Sequence, residues 1–156
     1  MDSLPVVIGV GIAFVLLALV VLWPRVRDYW AMRELERVRN IFYRRREWAE
    51  AKFMTLASES GKPRGLAWVE CEFDNGVSFA RDRESGDLRA LVAVTISFEA
   101  IEGGGMEDNP NVGNLRAATA VFRFDGNDWT TDGRAIFNLN PLQAIEHFQH
   151  ELETVD

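Results

Sequence analysis

The chain is predicted to be an α+β protein with a single N-terminal transmembrane helix, a long amphipathic helix, a five-stranded antiparallel meander sheet and a short C-terminal helix. Three observations predict it. No charged residue stands between Ser3 and Pro24; apolar residues recur at spacings of three, four or a full heptad in the helical pattern that runs from there to about Ser58; and beyond Gly65 the pattern becomes alternation broken by turn signals.

With the anchor subtracted, 156 residues leave room for one modest domain. The chain is 47% hydrophobic and 26% charged, which excludes disorder throughout. Its one cysteine, Cys71, cannot close an intramolecular disulfide, so a cysteine-stapled secreted scaffold is excluded as well. The net charge of −7 conceals a division. Met1–Pro24 carries −1, residues 25–64 carry 11 basic and 6 acidic groups (+5), and Gly65–Asp156 carries 6 basic and 17 acidic groups (−11). The organisation read from this is an anchor over 1–24, an arginine-rich amphipathic helix over 25–60 and an acidic α+β domain over 61–156.

The anchor is placed at Leu4 to Trp23. At 1.5 Å per residue, about 20 residues reach roughly 30 Å, the thickness of a hydrocarbon core. A cleaved signal peptide would show a basic region before the apolar stretch and a small-residue cleavage site after it, and neither is present. Arg25, Arg27, Arg33, Arg37 and Arg39 follow the stretch closely, and positive charge stays on the cytoplasmic side. The expectation is a single-pass protein with its N-terminus outside and its C-terminal domain cytoplasmic. Trp23, Tyr29 and Trp30 are the aromatic residues expected at the interface. Gly9 and Ala13 have the small-xxx-small spacing of a helix–helix contact in the membrane.

Pro24 is expected to kink or restart the chain, after which Ala31, Leu35, Val38, Phe42, Ala49, Phe53 and Leu56 form one apolar face, widened by Trp48 and Met54. Arg44, Arg45 and Arg46 are the densest basic cluster. They are read as a solvated face that enforces topology, or as a contact for anionic lipid or a partner. Nucleic acid is disfavoured, because the −11 domain beside the cluster repels it and no stacking-aromatic motif accompanies it.

Gly61-Lys62-Pro63-Arg64-Gly65 reads as a breaker. Strands are expected over Leu66–Phe73, Val77–Arg81, Leu88–Ile101, Leu115–Phe124 and Trp129–Asn138, with turns at Asp74-Asn75-Gly76, Glu84-Ser85-Gly86 and Asp125-Gly126-Asn127. In the third strand Val92, Val94, Ile96 and Phe98 share one face, while Ala93, Thr95, Ser97 and Glu99 share a small, polar one. Asn140 and Pro141 open the C-terminal helix as N-cap and first residue, with Leu142, Ile145, Phe148 and Leu152 apolar. Helices are expected on one side of the sheet. A long helix followed by a meander resembles the cystatin-like and NTF2-like architectures over about residues 40 to 140, and Phe124-Asp125-Gly126-Asn127-Asp128-Trp129 is similar to a hairpin common there. The resemblance implies a fold; such folds serve both as enzymes with pockets in a curved sheet and as adaptors.

No catalytic constellation emerges. Gly103, Gly104 and Gly105 have the flexibility of a phosphate cradle, but the Gly-Lys-Ser/Thr ending of a P-loop is missing and acidic residues surround them. With Met106, Glu107 and Asp108 they are read as a partner-contacting loop. His147 and His150 lack a further His or Cys ligand cluster, so no metal is assigned. Cys71, between Glu70 and Glu72, has a disfavoured thiolate. The expectation is a non-enzymatic, cofactor-free, membrane-tethered interaction or accessory subunit. It would meet membrane lipids and a membrane-protein complex or a second copy, without nucleic acid. The alternative is a small-ligand-binding or enzymatic pocket lined by Ala93, Thr95, Ser97, Ala117 and Thr119, which a concave face filled by Phe42, Trp48 and Phe53 would contradict.

Overall fold

The computed structural model describes residues 3–60 and 65–155, with the side chains of 3–7, 9, 10 and 60 outside that description. The element order is α1 (Ser3–Ser60), β1 (Leu66–Asp82), β2 (Leu88–Ala100), β3 (Arg116–Phe124), β4 (Trp129–Thr130), β5 (Ala135–Phe137), α2 (Pro141–His147) and β6 (Leu152–Thr154). This is an α+β chain with a long helix and an antiparallel sheet. The breaker residues 61–64 lie outside the described residues.

Two compact units divide at Asn40/Ile41, inside α1. In the first unit α1 runs through Pro24, where two separate helices were expected. Proline removes one backbone donor and crowds the preceding turn, and here the Arg25 guanidinium donates to the Val21 carbonyl at 3.1 Å. Among the described residues no helix is long and apolar enough to cross a membrane. The continuous run with described side chains, Gly11–Trp23, rises only about 20 Å. The expected span from Leu4 extends onto residues outside that description.

The second unit, Ile41–Asp156, holds a sheet of six strands instead of the five expected, in the order β4-β3-β2-β1-β6 with β5 on β3. Three differences account for the count. The segments 66–73 and 77–81 are one strand, because both pair with β2: Phe73 opposes Val94 and Val77 opposes Val92. Asp74-Asn75-Gly76 is thus a bulge, with three residues facing Ala93 alone, and not a hairpin turn. The segment 129–138 splits into β4 and β5. Leu152, placed in the last helix by its spacing, lies instead in β6, which pairs with β1 through Ala80 to Asp82.

The helices cover both faces of the sheet rather than one. Phe79, Ala90, Val92 and Phe122 alternate onto the face toward α1. Phe42 meets Trp129, Phe122 and Phe79 there at ring-centroid distances of 5.1, 5.5 and 5.9 Å, and Phe53 meets Phe73 and Phe122 at 5.7 and 5.9 Å. Phe42, Phe53, Phe122 and Trp129 are fully buried. The same face is concave. In a flat sheet β1 and β5 would lie three spacings, or roughly 14 Å, apart, yet Trp68 of β1 and Phe137 of β5 have centroids 6.4 Å apart. Gly133 allows the fit, since a Cβ there would lie 2.6 Å from the Ala57 nitrogen and 2.8 Å from the Leu56 carbonyl carbon.

On the opposite face Ala80 and Leu91 pack against Ala144 and Ile145 of α2. That helix starts as its sequence implies. The Asn140 side chain accepts from Gln143 N at 2.9 Å, the Gln143 side chain accepts from Asn140 N at 3.1 Å, and Pro141 opens the first turn.

Candidate functional site

The three arginines of the basic cluster do not act together. Successive helical residues project about 100° apart, and the structure uses each differently. Arg46 is largely covered: its Nε donates to Glu50 Oε1 at 2.6 Å and its two terminal nitrogens donate to the carbonyls of Asn75 and Asp74. The guanidinium thus closes the β1 bulge against α1, satisfying carbonyls that the broken ladder leaves over. Arg45 reaches Asp128 at 3.6 Å, with more than half of its side chain exposed. Arg44 is exposed. Of the three, Arg46 is committed to the fold. The Glu50 partnership was readable from its four-residue spacing; the bulge was not, because Asp74-Asn75-Gly76 has the composition of a turn.

The loop after β2 forms a cradle, and its occupant is internal. Gly103 and Gly105 take the left-handed backbone (φ +77° and +76°), and Glu107 Oε1 accepts from Gly103 N. Its carboxyl is held below the usual range by its own backbone N–H first, with those of Gly103, Gly105 and Met106 adding. The anion that the glycines receive is thus the chain's own. Gly104 serves differently: a Cβ there would lie 2.6 Å from Gly65 Cα, so the loop is sewn to the start of β1, where Ile101 N donates to Gly65 O at 2.9 Å. Met106 is half-buried and Asp108 exposed.

Ala13 is exposed, and the side of Gly9 lies outside the described residues. His147 ends α2 with its ring edge-on to Phe148 at 4.9 Å, whereas His150 falls in the following turn. Among the described residues no group of three His, Cys, Asp or Glu side chains could hold a metal ion. The Cys71 thiol is pushed up to about 11, by burial first and by the Glu70 charge second. It is a protonated packing residue at neutral pH.

The concave face is filled by Phe42 and Phe53, while Trp48 is exposed with the Lys52 ammonium 5.1 Å from its ring centroid. Among the described residues, the Phe42 and Phe53 rings occupy the space between α1 and the sheet. The small residues lie on the other face, where Ala93, Thr95 and Ala117 floor an open groove of about 690 Å³ beside Glu72, Asp74 and Asn138. Thr119 is buried, its hydroxyl donating to the Leu139 carbonyl at 2.7 Å. Asn138 takes the left-handed backbone (φ 62°) at the rim.

Comparison with known proteins finds no family model, no curated protein and no solved structure that matches the chain.

Proposed function

We propose that the chain is a membrane-tethered, non-catalytic interaction or accessory subunit. Leu4–Trp23 anchors it with the N-terminus outside, and the acidic unit serves at the cytoplasmic face as part of a membrane-protein complex or a homo-oligomer. One observation carries this reading. Between Gly11 and Trp23 the large apolar side chains of α1 are all exposed or nearly so: Phe14 and Val20 are each 72% exposed, Trp23 70% and Leu17 62%. Every residue from Gly11 to Trp23 is apolar, so at about 100° per residue no polar stripe is left, which is the pattern of a helix whose solvent is not water. The flank supports the direction. Tyr29 and Trp30 meet edge-on at 6.5 Å and the Arg33 guanidinium lies 4.8 Å from the Tyr29 ring centroid, a cationic aromatic belt following the apolar run.

Affinity purification of the full chain from native membranes in mild detergent tests the accessory role. A co-purifying membrane protein or a stable homo-oligomer is expected; a small monomer running alone contradicts it. A reporter fused after Asp156 is expected to work only as a cytoplasmic marker, and activity as an exported marker overturns the orientation.

The open groove favours a second, ligand-binding reading, since it places the small residues of β2 and β3 beside polar side chains. The native chain would then carry a small molecule visible by mass spectrometry, absent from Ala117→Trp. Clean spectra for both end that reading.

A further inference from the structure

A second cavity, of about 260 Å³, lies at the other end of the α2-bearing face, over β2 and β3 and against the segment from the end of α2 into β6. We propose that it binds a small oxyanion, a phosphate or carboxylate group carried on a compact apolar ligand, between Arg89, Arg123 and Arg134. The charge distribution argues first. Gly65–Asp156 has only 6 basic residues against 17 acidic ones, yet three of those six line this one cavity, matching in number its three carboxylates, Asp82, Asp132 and Glu151.

The strand register argues second. Arg89 of β2 and Arg123 of β3 are direct cross-strand partners, and like charges in that relation repel at a Cβ separation of about 5 Å. Asp82 answers Arg89, accepting from Nη2 at 2.8 Å, and is itself fixed by the N–H groups of Glu84 and Ser85 at 3.0 Å. That carboxylate is committed. Asp125, the other carboxylate that feels the Arg123 charge, is engaged by Asp128 N and Asn127 N. With both carboxylates committed to backbone N–H groups, an incoming oxyanion would bridge the facing guanidinium groups of Arg89 and Arg123.

Aromatic and apolar surface argues third. The Arg134 guanidinium lies 5.3 Å from the Phe148 ring centroid, an arrangement that fixes its plane, and Val121, Ile136 and Leu152 supply an apolar wall. The volume sits at the lower end of small-molecule sites. Asp132 and Glu151 also border the cavity, so an extended polyanion is repelled and a compact ligand is selected.

The test is calorimetric titration of the full detergent-solubilised chain at fixed ionic strength with inorganic phosphate and, separately, succinate. Saturable one-site binding of at least one anion is expected, weakened tenfold or more by Arg123→Gln and by Arg134→Gln and unchanged by Arg116→Gln outside the cavity. Tighter phosphate binding marks a phosphoryl ligand, and tighter succinate binding a carboxylate. A second readout separates binding from folding: in anion-free buffer Arg123→Gln is expected to raise the melting midpoint, because it relieves the pair with Arg89. No saturation with either anion overturns the proposal, as does equal binding by the arginine variants or a lowered midpoint for Arg123→Gln.

Discussion

The two ends of α1 carry the same kind of residue in opposite circumstances. Phe14 is 72% exposed, whereas Phe42 and Phe53, on the same helix, are fully buried. The difference lies in what each end is given to cover it. From Ile41 onward Phe42, Ala49, Phe53 and Ala57 form one buried stripe, and the sheet brings five aromatic rings, Trp68, Phe73, Phe79, Phe122 and Trp129, against Phe42 and Phe53. From Gly11 to Trp23 the apolar residues surround the helix, and no single packed face would bury them all. The apolar stripe of the first kind is covered within the domain; the exposed apolar run of the second kind is what the proposed anchor rests on.

Truncating a ring in each place sharpens the comparison most. Phe42→Ala is expected to destabilise the folded unit by about 3–5 kcal/mol, whereas Phe14→Ala is expected to shift it by less than about 0.5 kcal/mol, both read from denaturant midpoints in detergent. Similar costs would mean that the first segment has a packed core too.

Much of the second unit was legible because its signals are local. The long helix follows from its apolar spacing, β2 from clean alternation, the Asp125–Asp128 turn from its Asp-Gly-Asn composition, and the start of α2 from Asn140 and Pro141. What misled depends on partners remote in sequence. Asp74-Asn75-Gly76 looks like a hairpin turn, and only the fact that both its flanks pair with β2 makes it a bulge. Leu152 fits a helical spacing, yet the edge of β1 draws it into a strand. The three arginines of the proposed oxyanion site lie far apart along the chain, and strand register alone brings Arg89 opposite Arg123. No single-sequence pattern encodes that.

Gly133 tests how closely the sheet wraps α1. Gly133→Ala combines a left-handed backbone, costing about 1–2 kcal/mol, with overpacking against helix backbone of about 1–3 kcal/mol. Gly86→Ala has a similar backbone (φ +78°) and open space around it, so only the first cost is expected. Equal melting shifts would mean that the helix is not seated there.

The arginine cluster gives a smaller contrast. Arg46→Gln is expected to cost about 1.5–3 kcal/mol through lost charge-assisted hydrogen bonds, and Arg45→Gln, with its exposed ion pair, below about 1 kcal/mol. A reversed order in equilibrium unfolding would break the assignment of Arg46 as the clasp on the bulge.

The smallest effect is confined to acid. The Ser85 and Glu84 N–H groups and the Arg89 guanidinium hold the Asp82 carboxyl down to about 2 from an ordinary 3.8, the Ser85 bond weighing most. A lowered pKa in the folded state adds stability above the unfolded value and loses it as pH falls through the folded one. Asp82→Asn is therefore expected to lower the melting midpoint above pH 4, with the gap to the unmodified chain closing between 3.8 and about 2. A gap independent of pH would remove the charge from the explanation.

The proposed tether is tested most directly by alkaline carbonate extraction of membranes carrying the full chain, alongside an Ala13→Arg/Phe14→Arg double variant. Each arginine at mid-span opposes insertion by roughly 2.5–3.5 kcal/mol. The account predicts that the unmodified chain stays in the membrane pellet and that the double variant is released; recovery of the unmodified chain in the supernatant would contradict it.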